Sequence, residues 1–252
     1  MASAGIVEND IGFAGLFKSV DNGATWTRLP APEEEVKLAY RFWRMAEFGG
    51  GLFIAQSNAR DGFWTLSQDW VLDRHDTDLF PDMLDANLRL TVSRAEKFHD
   101  SVLYSPGLER LPIRSDLLEV PLAPAYLAID HFTAWWDKLR AAWPLVRRNL
   151  YRLDEAGEVS VVTLPNAPHV NDFTVIDGTV FVLGVSFHDG YYEATVLSSR
   201  DLEGWSELFR VKTPAMACSF AQLEGEWVLG LCADGMSDDN IASGQVLGVR
   251  TL

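Results

Sequence analysis

Apolar and polar residues alternate along most of this chain with a period of two, in short runs broken by Gly, Asp and Asn, and no long helical pattern interrupts them. A period of two puts alternate side chains on the two faces of a strand, so the pattern predicts an all-β fold. The clearest hairpin runs over residues 172–176, turns at Asp177-Gly178 and returns over 179–183. Asp-Gly between two β-branched and aromatic runs favours a tight turn whose positive φ angles match the twist of the strands. After a loop at His188-Asp189-Gly190, residues 194–199 and 205–209 supply two more strands. The four make an antiparallel meander of about 45 residues, the size of one propeller blade.

Shorter versions of the leading hairpin recur. They pair 43–48 with 52–56, 94–98 with 101–104, 126–129 with 132–136, and 219–223 with 227–231. Their turns centre near Gly50, His99, Asp130, Gly178 and Gly225, one blade apart except for a shorter step between His99 and Asp130. Radial repetition of this kind predicts a single β-propeller domain over residues 1–252, built of four-stranded antiparallel blades. Five blades are expected, with six as the alternative count. Residues 15–29 read as a third and fourth strand and 245–251 as a third, so the termini are expected to pair and close the last blade.

A second motif falls between the later strands. Ser19-Val20-Asp21-Asn22-Gly23-Ala24-Thr25-Trp26 has the form Ser-x-Asp-x-Gly-x-Thr-Trp. Residues 199–205 repeat it one position shorter, Ser67-Gln68-Asp69-Trp70 is truncated, and Asp154-Glu155-Ala156-Gly157 keeps an acid and a glycine. The full motif resembles the Asp box of the bacterial neuraminidase repeat. That resemblance implies a propeller in which these turns lie on the face opposite the ligand site. Physically, the Asp is expected to accept buried turn N–H groups, the Gly to take a conformation closed to β-carbons, and the Trp to fill space between blades. Sialidase catalysis does not carry over. That family places an arginine before its first Asp box and uses a late Tyr–Glu pair, but no arginine precedes Ser19 here and no tyrosine follows Tyr192.

Composition narrows the partners. The apolar share of 48% supports a substantial core. A net charge of −15 repels phosphate backbones and anionic lipid, which argues against nucleic acid and membrane surfaces. No apolar run approaches the ~20 residues of a membrane helix. No basic-then-apolar leader follows Met1, so synthesis in the cytoplasm is expected, with incorporation into a virion as a phage tail or receptor-binding part. Only Cys218 and Cys232 occur, which excludes a disulfide-dense scaffold and a four-cysteine zinc site. Both lie seven residues from Gly225. They are expected to face each other across one hairpin as free thiols.

The segment from Trp135 to Arg148 stands out, because it collects Trp135, Trp136 and Trp143 with Lys138, Arg140, Arg147 and Arg148 inside an acidic chain. Aromatic faces beside cations suit carboxylate-bearing sugars or an acidic protein patch. Tyr191 and Tyr192 form a smaller candidate on the same loop-rich side. The expected function is therefore non-enzymatic recognition or assembly, with a glycan or protein as partner. The alternative is a propeller-type glycoside hydrolase or lyase using acids on inner strands: Glu47, Glu96, Asp130 and Asp172. No cofactor or metal is expected. The five histidines lack ligand spacing, and Asp234, Asp238, Asp239 and Asn240 lack a calcium-loop pattern.

Overall fold

The computed structural model describes residues 2–8, 11–30, 42–56, 59–83, 90–108, 149–166, 168–188, 191–232 and 244–249. These residues form strands and turns and contain no helix. The expected all-β class is what the chain adopts. Five antiparallel sheets follow one another along the sequence, each a meander in chain order. The first holds β1 (Ala2–Glu8), β2 (Ile11–Lys18) and β3 (Thr27–Arg28). The second holds β4 (Phe42–Phe48), β5 (Gly51–Gln56), β6 (Phe63–Leu66) and β7 (Leu72–His75). The third holds β8 (Leu90–Phe98), β9 (Ser101–Leu108), β10 (Leu150–Leu153) and β11 (Val159–Val162). The fourth runs β12 (His169–Ile176), β13 (Thr179–His188), β14 (Tyr191–Ser199) and β15 (Ser206–Thr213). The fifth runs β16 (Met216–Leu223), β17 (Glu226–Cys232) and β18 (Val246–Val249). This is the blade organisation of a β-propeller.

The blades are partitioned differently from the sequence expectation. The Asp130 hairpin lies outside the described residues. β9 pairs directly with β10, Tyr104 facing Tyr151, so residues 109–149 are a long connection inside the third sheet. The missing sheet is supplied at the amino terminus, where β1 pairs with β2 through Ala2 to Glu8. Alternation there was hidden by the small side chains of Ala2, Ser3, Ala4 and Gly5. Among the described residues β1 pairs only with β2 and β18 only with β17, so no sheet is shared by the two termini.

The chain forms two compact units. One contains the first three sheets with residues 175–178, and the other contains the remainder of the fourth sheet and the fifth. In the first unit, Leu16 and Leu29 pack with Phe42, Ile54, Trp64, Leu66 and Leu72. Beside them Phe53, Phe63, Phe80, Tyr104 and Tyr151 form an aromatic core with ring centroids 5.1–6.2 Å apart. Burial pushes both tyrosine hydroxyls up in pKa, and each finds an acceptor: Tyr104 donates to the Leu79 carbonyl and Tyr151 to Asp82 Oδ1. In the second unit Trp227 meets Phe181, Phe209 and Phe220. Aromatic side chains at facing positions fill the space between sheets with few torsions to freeze.

Cys218 and Cys232 are joined in a disulfide, with α-carbons 5.9 Å apart, which corrects the expectation of free thiols. The register explains their approach. Cys232 pairs with Met216, and the ladder shifts between Ala217 and Ser219, so Cys218 is the extra residue of a β-bulge. The two cysteines face each other across one hairpin as counting from Gly225 predicts, and the bulge turns Cys218 toward its diagonal neighbour.

Candidate functional site

Four turns carry the Asp-box-like sequences, between β2 and β3, β6 and β7, β10 and β11, and β14 and β15, and their bonding shows one shared plan. The side-chain oxygen of the opening residue accepts a backbone N–H three or four residues on: Ser19 from Gly23, Ser67 from Val71, Asp154 from Glu158 and Ser199 from Leu202. The residue three after it has positive φ in every case: Asn22 (56°), Trp70 (66°), Gly157 (85°) and Leu202 (66°). Asp154 thus takes the place of the serine, not that of the motif's aspartate. In the full motif Asp21 accepts from Thr25 N–H at 2.9 Å, Thr25 Oγ1 at 2.6 Å and Ser19 Oγ at 2.7 Å. Those bonds, led by the Thr25 hydroxyl, hold the Asp21 carboxyl at about 2, below the ordinary value. Asp201 is lowered in the same way by the N–H groups of Gly204 and Glu203. The turn is exposed, not buried as expected. Trp26 folds back on it, donating Nε1–H to the Gly23 carbonyl, as Trp205 does to Leu202.

The inner-strand acids have definite partners. Glu47 on β4 pairs with Lys97 on β8 at 3.0 Å. Glu96 on β8 accepts the Val175 N–H of β12 at 2.6 Å and also holds Arg94. Asp172 on β12, 8% exposed, accepts N–H groups from Phe173 at 2.9 Å and from Phe220 of β16 at 3.3 Å. Each acid therefore reaches the first strand of the following sheet. Asn171 Nδ2, donating to the Ala217 carbonyl at 2.6 Å, does likewise. The fourth candidate, Asp130, lies outside the described residues.

Trp135, Trp136, Lys138, Arg140, Trp143, Arg147 and Arg148, expected on the loop-rich side, also lie outside the described residues. They belong to the connection between β9 and β10, which leaves the third sheet at the end away from the His99 turn. Tyr191 opens β14, half-buried, with its ring stacked against His188 at 5.0 Å and Lys212 Nζ 4.4 Å from its centroid. Tyr192 points the other way and is 7% exposed, so it belongs to the core and is withdrawn as a contact residue. Beside Tyr191, Arg210 bridges Glu193 at 2.9 Å and Glu207 at 2.6 Å. Its hydrogen bonds hold the Glu207 carboxyl below the ordinary range, and the pair raises Arg210 in turn. Among the described residues no cluster of His, Cys, Asp and Glu is arranged to hold a metal, and the Asp234–Asn240 group lies outside them.

One feature at the opposite, turn-bearing end was not anticipated. A cleft of about 460 Å³ opens between the two turns of the second sheet, lined by Glu47, Gly50, Ser67, Gln68, Trp70 and Lys97 over an apolar floor. The sequence carried a trace of it. Tryptophan stands seven and six residues after the opening serine in the turns at Ser19 and Ser199, but only three after Ser67.

No protein-family model matches the chain, and no curated protein matches it in sequence. Among solved structures it is similar to the extracellular domain of a hybrid two-component system protein from B. thetaiotaomicron, at 14% identity and a TM-score of 0.43 over 90% of this chain. It is also similar to a GH32 β-fructofuranosidase of Bombyx mori, at 9% identity and a TM-score of 0.37 over 73% of this chain. The chain spans 24% and 39% of the lengths of those two proteins. Likeness of this degree assigns neither a ligand nor a reaction.

Proposed function

We propose that this chain is a non-enzymatic recognition protein that binds a carboxylate-bearing glycan through its loop-rich side. The observation that carries the reading is the engagement of Glu47, Glu96 and Asp172, each bonded to the first strand of the next sheet. A hydrolase or lyase would need two such acids free to face a substrate, with their protonation states set apart by environment. Here Glu96 and Asp172 are engaged by backbone N–H groups of the next sheet.

Recognition is supported from two directions. Tyr191 presents a ring held between His188 and Lys212, an aromatic surface with cationic nitrogen beside it. The connection between β9 and β10 is longer than pairing of those strands requires, and in a chain of net charge −15 it concentrates three tryptophans and four cations. Ring faces stack on sugars while arginine forks donate paired N–H bonds to carboxylates.

The test is the double variant Trp143→Ala/Arg147→Ala, measured against immobilised uronic-acid and sialic-acid oligosaccharides and, in parallel, by thermal melting. Binding should weaken by about 2 kcal/mol or more with an unchanged melting temperature. Lowered stability with intact binding would end the assignment for this segment, and binding only to an acidic protein would replace the glycan as partner.

A further inference from the structure

We infer that the cleft at the turn-bearing end of the second sheet is a separate binding site for a neutral, hydroxyl-rich sugar ring, with Trp70 as its platform. Its volume of about 460 Å³ falls within the range of small-ligand pockets, roughly 300–1,000 Å³. The construction begins with the backbone. In the related turns the left-handed position is held by Asn22, Leu202 and Gly157, whereas here it is held by Trp70 with φ 66°. Leu202 shows that this turn accepts a large side chain there; what sets Trp70 apart is that the residue so placed is the tryptophan itself.

The placement changes what the indole does. Trp26 and Trp205 fold onto their own turns and bond a carbonyl three residues back. Trp70 comes four residues earlier than the full motif puts its tryptophan, makes no such bond among the described residues, and instead lines the cleft, 38% exposed. Lys18 Nζ sits 4.4 Å from its ring centroid and braces it. Among the described residues its indole N–H has no acceptor, so a ligand hydroxyl can take that role. Opposite, the hairpin turn is Gly49-Gly50, and a β-carbon at Gly50 would stand 3.5 Å from Gln68 Nε2. Glycine there suits the turn's positive φ of 76°.

The rim chemistry selects the ligand class. Glu47, Gln68, Ser67 and Lys97 place acceptors and donors around the aromatic face, the arrangement that vicinal hydroxyls satisfy. An anion would meet Glu47 and the field of the −15 chain, and a cation would meet Lys97 and Lys18. A neutral ring meets neither penalty. It stacks its C–H face on the indole and bonds the rim with its edge.

The experiment is a titration of the full chain with glucose, galactose, mannose and N-acetylglucosamine, followed by tryptophan fluorescence and saturation-transfer NMR. Trp70→Asn is the informative variant, since asparagine tolerates positive φ and already occupies the matching position at Asn22. At least one sugar should bind, Trp70→Asn should weaken it at least about tenfold while melting cooperatively, and Gln68→Ala should weaken it several-fold. The full chain carrying Trp143→Ala/Arg147→Ala should bind the same sugar unchanged, which separates this site from the loop-side reading. No sugar binding to the wild type, or equal binding by Trp70→Asn and Gln68→Ala, would overturn the inference.

Discussion

Replacing Asp172 by alanine tests how these sheets are held together. The carboxylate accepts the N–H groups of Phe173 and Phe220, whose residues are 0% and 5% exposed, so water does not readily take its place. A buried donor left without a partner costs about 1–3 kcal/mol. The Phe173 bond at 2.9 Å deserves the middle of that range, and the Phe220 bond at 3.3 Å the low end. Together they put the loss at about 2–4 kcal/mol, a sizeable share of the roughly 5–15 kcal/mol that holds a typical domain. For a chain of 252 residues each kcal/mol moves the melting temperature by about 2–4 °C, so a fall of about 4–16 °C is expected by calorimetry. Asp172→Asn keeps one acceptor oxygen and should lose roughly half as much. An alanine variant that melts with the wild type would refute the inter-sheet role of this acid.

Further predictions concern the turns and the crosslink. The Asp21 carboxyl has its pKa depressed to about 2, so its contribution to stability is complete above the unfolded value of ~3.9 and lost as pH falls through about 2. Melting temperatures across that window should drop in the wild type and drop less in Asp21→Asn; identical profiles would remove the turn from the acid response. Reducing the Cys218–Cys232 disulfide, which closes a separation of 14 residues, should cost at most about 3 kcal/mol, read as a lower denaturant midpoint in the presence of a reductant. Gly51→Ala places a β-carbon 2.2 Å from the Leu66 carbonyl oxygen and should destabilise by about 1–3 kcal/mol in urea, with an unchanged slope.

The blade units were legible because their signals are local. Asp177-Gly178, Glu224-Gly225 and Gly49-Gly50 sit at hairpin turns where the backbone takes positive φ, and alternating apolar residues flank them. Partition was less legible, because a sheet is completed by long-range pairing. Nothing near Leu108 announces that β9 waits for Leu150. The same limit hid the bulge at Cys218, which depends on the register of two strands together. At the sites, the sequence marked Tyr191 and Tyr192 as one aromatic pair, while strand alternation sends one outward and one into the core. It marked Glu47, Glu96 and Asp172 as inner-strand acids, but their partners lie on the next sheet, 50, 79 and 48 residues away. The Trp70 cleft depends on two turns meeting, and only the displaced tryptophan hinted at it.

The most direct test of recognition without catalysis is mass spectrometry of carboxylated and neutral oligosaccharides after prolonged incubation with the protein. They should be recovered intact, with the same masses and the same number of reducing ends, by wild type and by Glu96→Gln and Asp172→Asn alike. Cleavage by the wild type that disappears in either variant, at an unchanged melting temperature, would contradict the account and make those acids catalytic.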